Sequence, residues 1–345
     1  MKQIYFTFLS LLTSAIAQTY NFNFPPNTAQ PVAWNISVNP QFIEETVLKT
    51  TLYHSSTYFK DADAENKAEG LPLEEMRGLA DHWSKKYDWY KYQDEINANF
   101  SHYALTVPGG NGYNHSVPLH FVHERSIRED AVPILLIHGW PSSFLEWSHV
   151  IKPLASPENP DDQHFHVVAV DIPGYGFSPA PVAPGMGPKQ LAIIFDNLMQ
   201  ALGYSKYGLA TTDLGWWVGM WMADLVPNSL IGHLMDSANP PTLTTDLERY
   251  ARNETTEEEN LYIPAIQAFS TLHSSYNQIA AQSPLAFGQA MGDTPVGWTS
   301  FILYLLNKAN GGYAYTYDQI ITRALLLLLS EPWSSLRLYR ETFAF

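Results

Sequence analysis

Short apolar runs alternate with helical stretches from residue 117 onward. Residues 119–123, 133–137, 167–170, 207–211 and 231–236 read as strands. The second of them, Pro133-Ile134-Leu135-Leu136-Ile137, is the unbroken apolar run that a strand buried on both faces requires. Residues 189–202 and 214–225 read as helices between later strands, and the spacing predicts a parallel sheet covered on both faces. Residues 240–320 break this alternation with helical segments rich in Ala, Leu, Gln and Tyr and no strand. An all-helical insertion after a strand is what a cap over the carboxyl ends of a sheet looks like, and ligands bind there. Within it, the acidic run at 254–259 reads as a solvated loop. The apolar run at 324–329 is far shorter than a membrane span and reads as a buried helix, so no transmembrane span is expected. Upstream, residues 42–58 and 73–86 read as charged helices. Trp83, Tyr87, Trp89, Tyr90 and Tyr92 follow too densely for one amphipathic face, so this stretch is expected to lie against another surface.

Composition narrows the partners. The 345 residues carry a net charge of −15, with 46% hydrophobic and 14% aromatic residues. That is enough for a large core and one large α/β domain with additions, and too acidic for a broad attraction to nucleic acid. The absence of cysteine excludes disulfides, thiolate metal sites and a cysteine nucleophile. Residues 1–17, with Lys2, an apolar stretch and Ala15-Ile16-Ala17, have the layout of a secretory signal peptide. Sequons at Asn35, Asn99, Asn114 and Asn253 agree with a secreted glycoprotein.

The chemistry concentrates at strand ends. In Tyr207-Gly208-Leu209-Ala210-Thr211-Thr212-Asp213-Leu214-Gly215-Trp216, a strand turns sharply into a helix and presents Asp213 above the sheet, where a carboxylate can act as a nucleophile. Taken alone, the segment reads better as Asp213 capping the following helix. The turn His138-Gly139-Trp140-Pro141 directly follows the apolar strand at 133–137 and changes the balance. The backbone N–H of Trp140, with that of Leu214, can form an oxyanion hole, and His138 is expected to support that loop. With Asp171-Ile172-Pro173-Gly174-Tyr175-Gly176-Phe177-Ser178 at the next strand end, the order points to a nucleophilic hydrolase site.

HGWPSSFLEW, DIPGYGFSPAP and the Asp213 turn, with GDTPVGWTSFILYLL in the cap, SSLRLYRE after it, and the aromatic lead-in WSKKYDWYKYQDEIN with PLHFVHERS, resemble the microsomal-type epoxide hydrolases over residues 42–345. The resemblance implies an α/β-hydrolase fold with a helical cap, no cofactor and no metal, and a small apolar epoxide as substrate. It divides the chain into a signal peptide (1–17), an epoxide hydrolase N-terminal segment (18–125), a hydrolase core (126–239), a cap (240–320) and an incomplete return to the core (321–345). It assigns Asp213 as the nucleophile that opens an epoxide to an ester on the way to a vicinal diol, and Tyr339 and Tyr276 as the phenols that hydrogen-bond the epoxide oxygen.

Two departures stand out. Thr211-Thr212 and Leu214 flank Asp213 where the family has small glycines and a tryptophan, so either the turn is relaxed or the threonines meet a different neighbour. After Asp213 the only histidines are His233 and His273, neither where the family's water-activating His is expected. The last strands of the sheet, that His and its acid have no counterpart, and the resemblance therefore implies a truncated chain impaired in turnover. A haloalkane dehalogenase-like hydrolase and a secreted pseudoenzyme binding apolar ligands remain alternatives.

Overall fold

The computed structural model describes residues 21–26, 28–55, 70–236, 242–309 and 311–343. The signal-peptide segment at 1–17 lies outside the described residues, as does the end of the helix expected at 42–58.

Seven strands form one sheet: β1 (Val32–Ala33), β2 (His102–Val107), β3 (Val117–Glu124), β4 (Val132–Ile137), β5 (Phe165–Val170), β6 (Tyr207–Thr211) and β7 (Leu230–Met235), in the order β1-β2-β3-β5-β4-β6-β7. The expected parallel sheet is in fact mixed. β5, β4, β6 and β7 run parallel, whereas β1, β2 and β3 pair antiparallel and join through β3 to β5. The antiparallel part escaped the sequence pattern because β2 follows a helix end after two residues and hides inside the aromatic lead-in. The parallel strands obey the expected rule: Leu135, Leu136 and Ile137 of β4 and Val167 to Val170 of β5 are buried. Among the described residues β7 is a sheet edge, with Ile231 60% and Leu234 71% exposed.

The N-terminal segment forms helices α1 (Pro40–Thr51), α2 (Leu73–Lys85) and α3 (Trp89–Asn99). Its aromatics meet a surface, as expected. Trp83 and Trp89 are buried, Tyr87 Oη lies 2.8 Å from Thr322 Oγ1, and Tyr92 Oη donates to Asp318 Oδ2 at 2.6 Å. In the core, α4 (Ser148–Ala155) packs on β5, and α5 (Pro188–Ala201) on α6 (Leu214–Leu225). The cap consists of α7 (Thr244–Ala251), α8 (Glu257–Leu272), α9 (Ser275–Gln282), α10 (Pro284–Gly292) and α11 (Pro295–Ala309), and the chain returns through α12 (Tyr317–Leu328) and α13 (Pro332–Phe343). The acidic run at 254–259 is not simply a loop. Thr256 caps α8 by accepting from Glu259 N, and Glu257, Glu258 and Glu259 occupy the first helical turn, where negative charge is favoured. The helices α9 and α10 both pack against α13, which brings the cap onto the core.

Candidate active site

Asp213 sits between β6 and α6 with φ 49° and ψ −123°, a conformation that a non-glycine residue adopts only under strain of about 1–3 kcal/mol. It occupies the N-cap position, yet its side chain makes no capping bond. Instead Asp213 Oδ1 accepts the Trp140 backbone N–H at 2.8 Å, and the Leu214 N–H also hydrogen-bonds the carboxyl. This distinguishes it from an ordinary helix cap. Of the two threonines before it, Thr211 meets an unexpected neighbour, with Oγ1 2.7 Å from His233 Nε2 on the adjacent strand β7, and Thr212 lines the cavity. A side chain at Gly139 would collide with Asp213 Oδ1, so the close approach of the two turns requires glycine there.

The carboxyl borders a cavity of about 360 Å³ whose walls include Trp140, Thr212, Asp236, His273, Tyr276 and Arg323. Burial in this setting pushes Asp213 up to about 6, against the pull of the Leu214 and Trp140 N–H groups, and the charges of Glu146 and Asp236 add to the rise. A larger cleft of about 600 Å³ adjoins the cavity and shares Ser142, Glu146, Tyr315 and Arg323 with it. Arg323 donates to Glu146 Oε2 at 2.8 Å in that shared wall.

The structure packs both expected tyrosines against Trp140, and of the two Tyr276 lines the cavity. Tyr276 from α9 stacks on Trp140 with ring centroids 5.3 Å apart, and Tyr339 from α13 meets Trp140 edge-on at 5.9 Å. The two tyrosine rings lie 5.8 Å from each other. Tyr339 is buried and Tyr276 partly so. Burial first, with the neighbouring Asp213 charge acting in the same direction, raises both phenols, so each keeps its proton. His138 is buried and committed on both ring nitrogens: Nδ1 contacts Gly139 O at 2.9 Å and Nε2 accepts the Ile172 N–H at 3.1 Å. Burial lowers its pKa, and it supports the loop as a neutral ring.

The profile described as "Epoxide hydrolase N terminus" matches residues 31–147, and that of the "alpha/beta hydrolase fold" matches 132–276. The chain belongs to the microsomal epoxide hydrolase family. Epoxide hydrolase 1 of Sus scrofa is 31% identical to it, over 77% of this chain and 63% of its own length. Juvenile hormone epoxide hydrolase 2 of Ctenocephalides felis is 27% identical, over 80% and 62% respectively. The chain thus spans about 62% of the length of such curated relatives. The crystal structure of juvenile hormone epoxide hydrolase from the silkworm Bombyx mori shares the fold, with a TM-score of 0.79 at 24% identity, covering 92% of this chain and 78% of that one.

Sequence reasoning missed several residues of this epoxide hydrolase family site. Glu146 lines the cavity from the short helix at 144–147 inside the HGWPSSFLEW motif, where no role was assigned to it, and Asp236 and Arg323 line it from a strand end and a helix that carried no motif. His273 was expected only as a cap residue; it follows α8 directly and lines the same cavity as Asp213, with its Nδ1 buried and unpaired. The Ser275–Gln282 helix, α9, begins two residues later and docks on α13, which fixes the placement of His273.

Proposed function

We propose that this chain opens the ring of a small apolar epoxide by attack of Asp213, forming a covalent ester on the route to a vicinal diol. Oδ1 is held by the Trp140 N–H, the Leu214 N–H also bonds the carboxyl, and the carboxylate oxygen not held by Trp140 attacks a ring carbon. As the carbon–oxygen bond breaks, Tyr339 or Tyr276 delivers a proton or a strong hydrogen bond to the developing alkoxide. The ester carbonyl then retains Oδ1 in the two-donor site, where the oxyanion formed by water attack would be stabilised. The observation that carries this reading is the strained Asp213 elbow with its side chain bonded to Trp140 N rather than capping the helix.

The ester is proposed to be hydrolysed slowly. Among the described residues, His138 has both ring nitrogens engaged, His233 is tied to Thr211, and His273 lines the cavity with no bonded acid to orient it. Intact mass spectrometry after incubation with a reactive apolar epoxide tests both halves. The expected result is one persistent adduct that is absent in Asp213→Ala; steady multiple-turnover diol release would overturn the slow step. Passage through the secretory pathway is part of the same proposal, supported by the exposure of all four sequon asparagines. A mobility shift on treatment with peptide N-glycosidase, after expression of the full chain in a secreting cell, is the expected sign.

A further inference from the structure

Outside the residues that line the cavity lies a buried chain of titratable groups that the proposed reaction does not use. His102 on β2 contacts Ile96 O through Nε2 at 3.2 Å and His120 Nε2 through Nδ1 at 2.9 Å. His120 on β3 contacts Asp171 Oδ2 through Nδ1 at 2.7 Å. Each of these three contacts requires one proton, and two neutral imidazoles carry only two. The third proton must therefore reside on one ring or on the carboxyl. Asp171 already accepts backbone N–H groups from Phe144 at 2.7 Å and Phe177 at 2.9 Å, which favours the carboxylate. His102 is driven to about 3, by burial first and then by its neighbour His120, so it is the neutral ring. The rings of Phe144, Phe177 and Trp34 pack around His120 with centroids at 5.3, 5.4 and 5.5 Å, each nearly perpendicular to the imidazole.

We propose that His120 is an imidazolium at neutral pH, and that its ion pair with Asp171 is the positioning device that sets the oxyanion loop. The loop from His138 to Phe144 is clamped at both ends by the segment after β5: Ile172 N donates to His138 Nε2, and Phe144 N donates to Asp171 Oδ1. Trp140, whose N–H holds Asp213, lies between these clamps. A carboxylate accepts the Phe144 and Phe177 N–H groups more strongly than a neutral acid would, and a cation at His120 offsets the cost of that charge where both side chains are wholly buried. Gly176 permits the arrangement, since a side chain there would collide with the Asp171 carboxylate. The other ionisable group facing Asp171 is His138, with Nε2 3.7 Å from Oδ1, and it is neutral. Trp34, His102 and His120 all belong to the stretch matched as the epoxide hydrolase N terminus. That segment therefore acts on Asp213 through the sheet, without touching substrate.

The positioning role rests on the proposed nucleophilic reaction, whereas the charge state does not, so the experiment has two arms. In the first, nitrogen NMR of the ¹⁵N-histidine-labelled full chain near pH 8, without epoxide, is expected to show one ring protonated on both nitrogens. Its ring protons should show contacts to Phe144 and Phe177, and the signal should disappear in His120→Gln. A neutral His120 ring overturns the proposal, whatever the variant does. In the second arm, adduct formation is followed against pH. In His120→Gln, which can still donate to Asp171 without a charge, the rate is expected to fall by roughly tenfold, the scale of one charge-assisted hydrogen bond. The midpoint set by Asp213 should move upward as the Trp140 N–H bond weakens; a changed rate with an unmoved midpoint would overturn the positioning role. Failure of the wild-type chain to form any adduct would sink the proposed function while leaving the first arm to decide the ion pair.

Discussion

Replacing Asp213 by Asn should make the protein more stable, by an amount that depends on pH. The carboxyl has an ordinary value of 3.8 and is raised to about 6 in the folded chain. Between those values the folded state binds a proton that the unfolded chain has released, so stability falls as pH rises through this window. Above about pH 6 the full penalty is present, about 3 kcal/mol at most because the carboxyl borders the cavity. Below about pH 3 both states are protonated and the penalty vanishes. Asn keeps the shape and can still accept the Trp140 and Leu214 N–H groups through its oxygen, but it never ionises. Urea unfolding of wild type and Asp213→Asn at several pH values measures the difference directly. The stability gap should grow from about 1.5 kcal/mol near pH 5 to about 3 kcal/mol near pH 7.5. A gap that stays constant over that range, or a variant less stable than wild type at pH 7.5, would refute the reasoning.

The same raised carboxyl predicts that adduct formation in the wild type increases with pH through about 6 and then levels off, as followed by intact mass at fixed epoxide concentration. Tyr339→Phe and Tyr276→Phe should each slow adduct formation, the stronger of the two by roughly 100-fold, while leaving the midpoint near that of the wild type. If both variants react at the wild-type rate, the phenols do not assist ring opening. His273→Ala should leave the lifetime of a preformed adduct unchanged; a longer-lived adduct would make His273 the base that activates water.

The parts of the site on consecutive residues were legible in the sequence, and the parts assembled across the sheet were not. The elbow at Asp213 and the turn at Trp140 announce themselves because strand, turn and helix follow one another within a dozen residues, and each turn has its own local chemistry. The match of Tyr339 and Tyr276 came from motif order, and the packing of α9 on α13 supplies the physical reason that both rings reach Trp140. By contrast, β2 follows a helix inside the aromatic lead-in without a pattern of its own, so the antiparallel part of the mixed sheet is not legible in the sequence. His102 and His120 are eighteen positions apart and meet only because the antiparallel register of β2 and β3 sets His102 opposite Val122, two residues along from His120 on the same face. Periodicity cannot show such a pair, because a buried histidine on a strand has the same spacing as any core residue. Thr211 is similar. Its fit depends on His233 of a parallel neighbour, a partner chosen by sheet order rather than by chain order.

Strain and buried charge converge on Asp213, and this bears on how the two chemical steps divide. The carboxylate at neutral pH carries a net penalty of at most about 3 kcal/mol, burial and the charges of Glu146 and Asp236 outweighing the two N–H groups, in a backbone conformation that costs a further 1–3 kcal/mol or so. Ester formation replaces the charge with a neutral group while the backbone stays where it is. The electrostatic penalty is therefore relieved in the first step, and the carboxylate is a stronger nucleophile than one in water. Hydrolysis of the ester must regenerate the buried anion, and the same penalty then opposes it. An environment that accelerates ring opening thus favours the ester by up to about 3 kcal/mol, roughly 100-fold in equilibrium terms, and its accumulation then depends on how fast water is activated. Lowering the penalty separates this explanation from the lack of a base. Glu146→Gln removes a charge that raises Asp213, and it should slow ring opening at neutral pH while shortening the lifetime of the ester. Slower formation together with a longer-lived ester would show that buried charge does not control the second step.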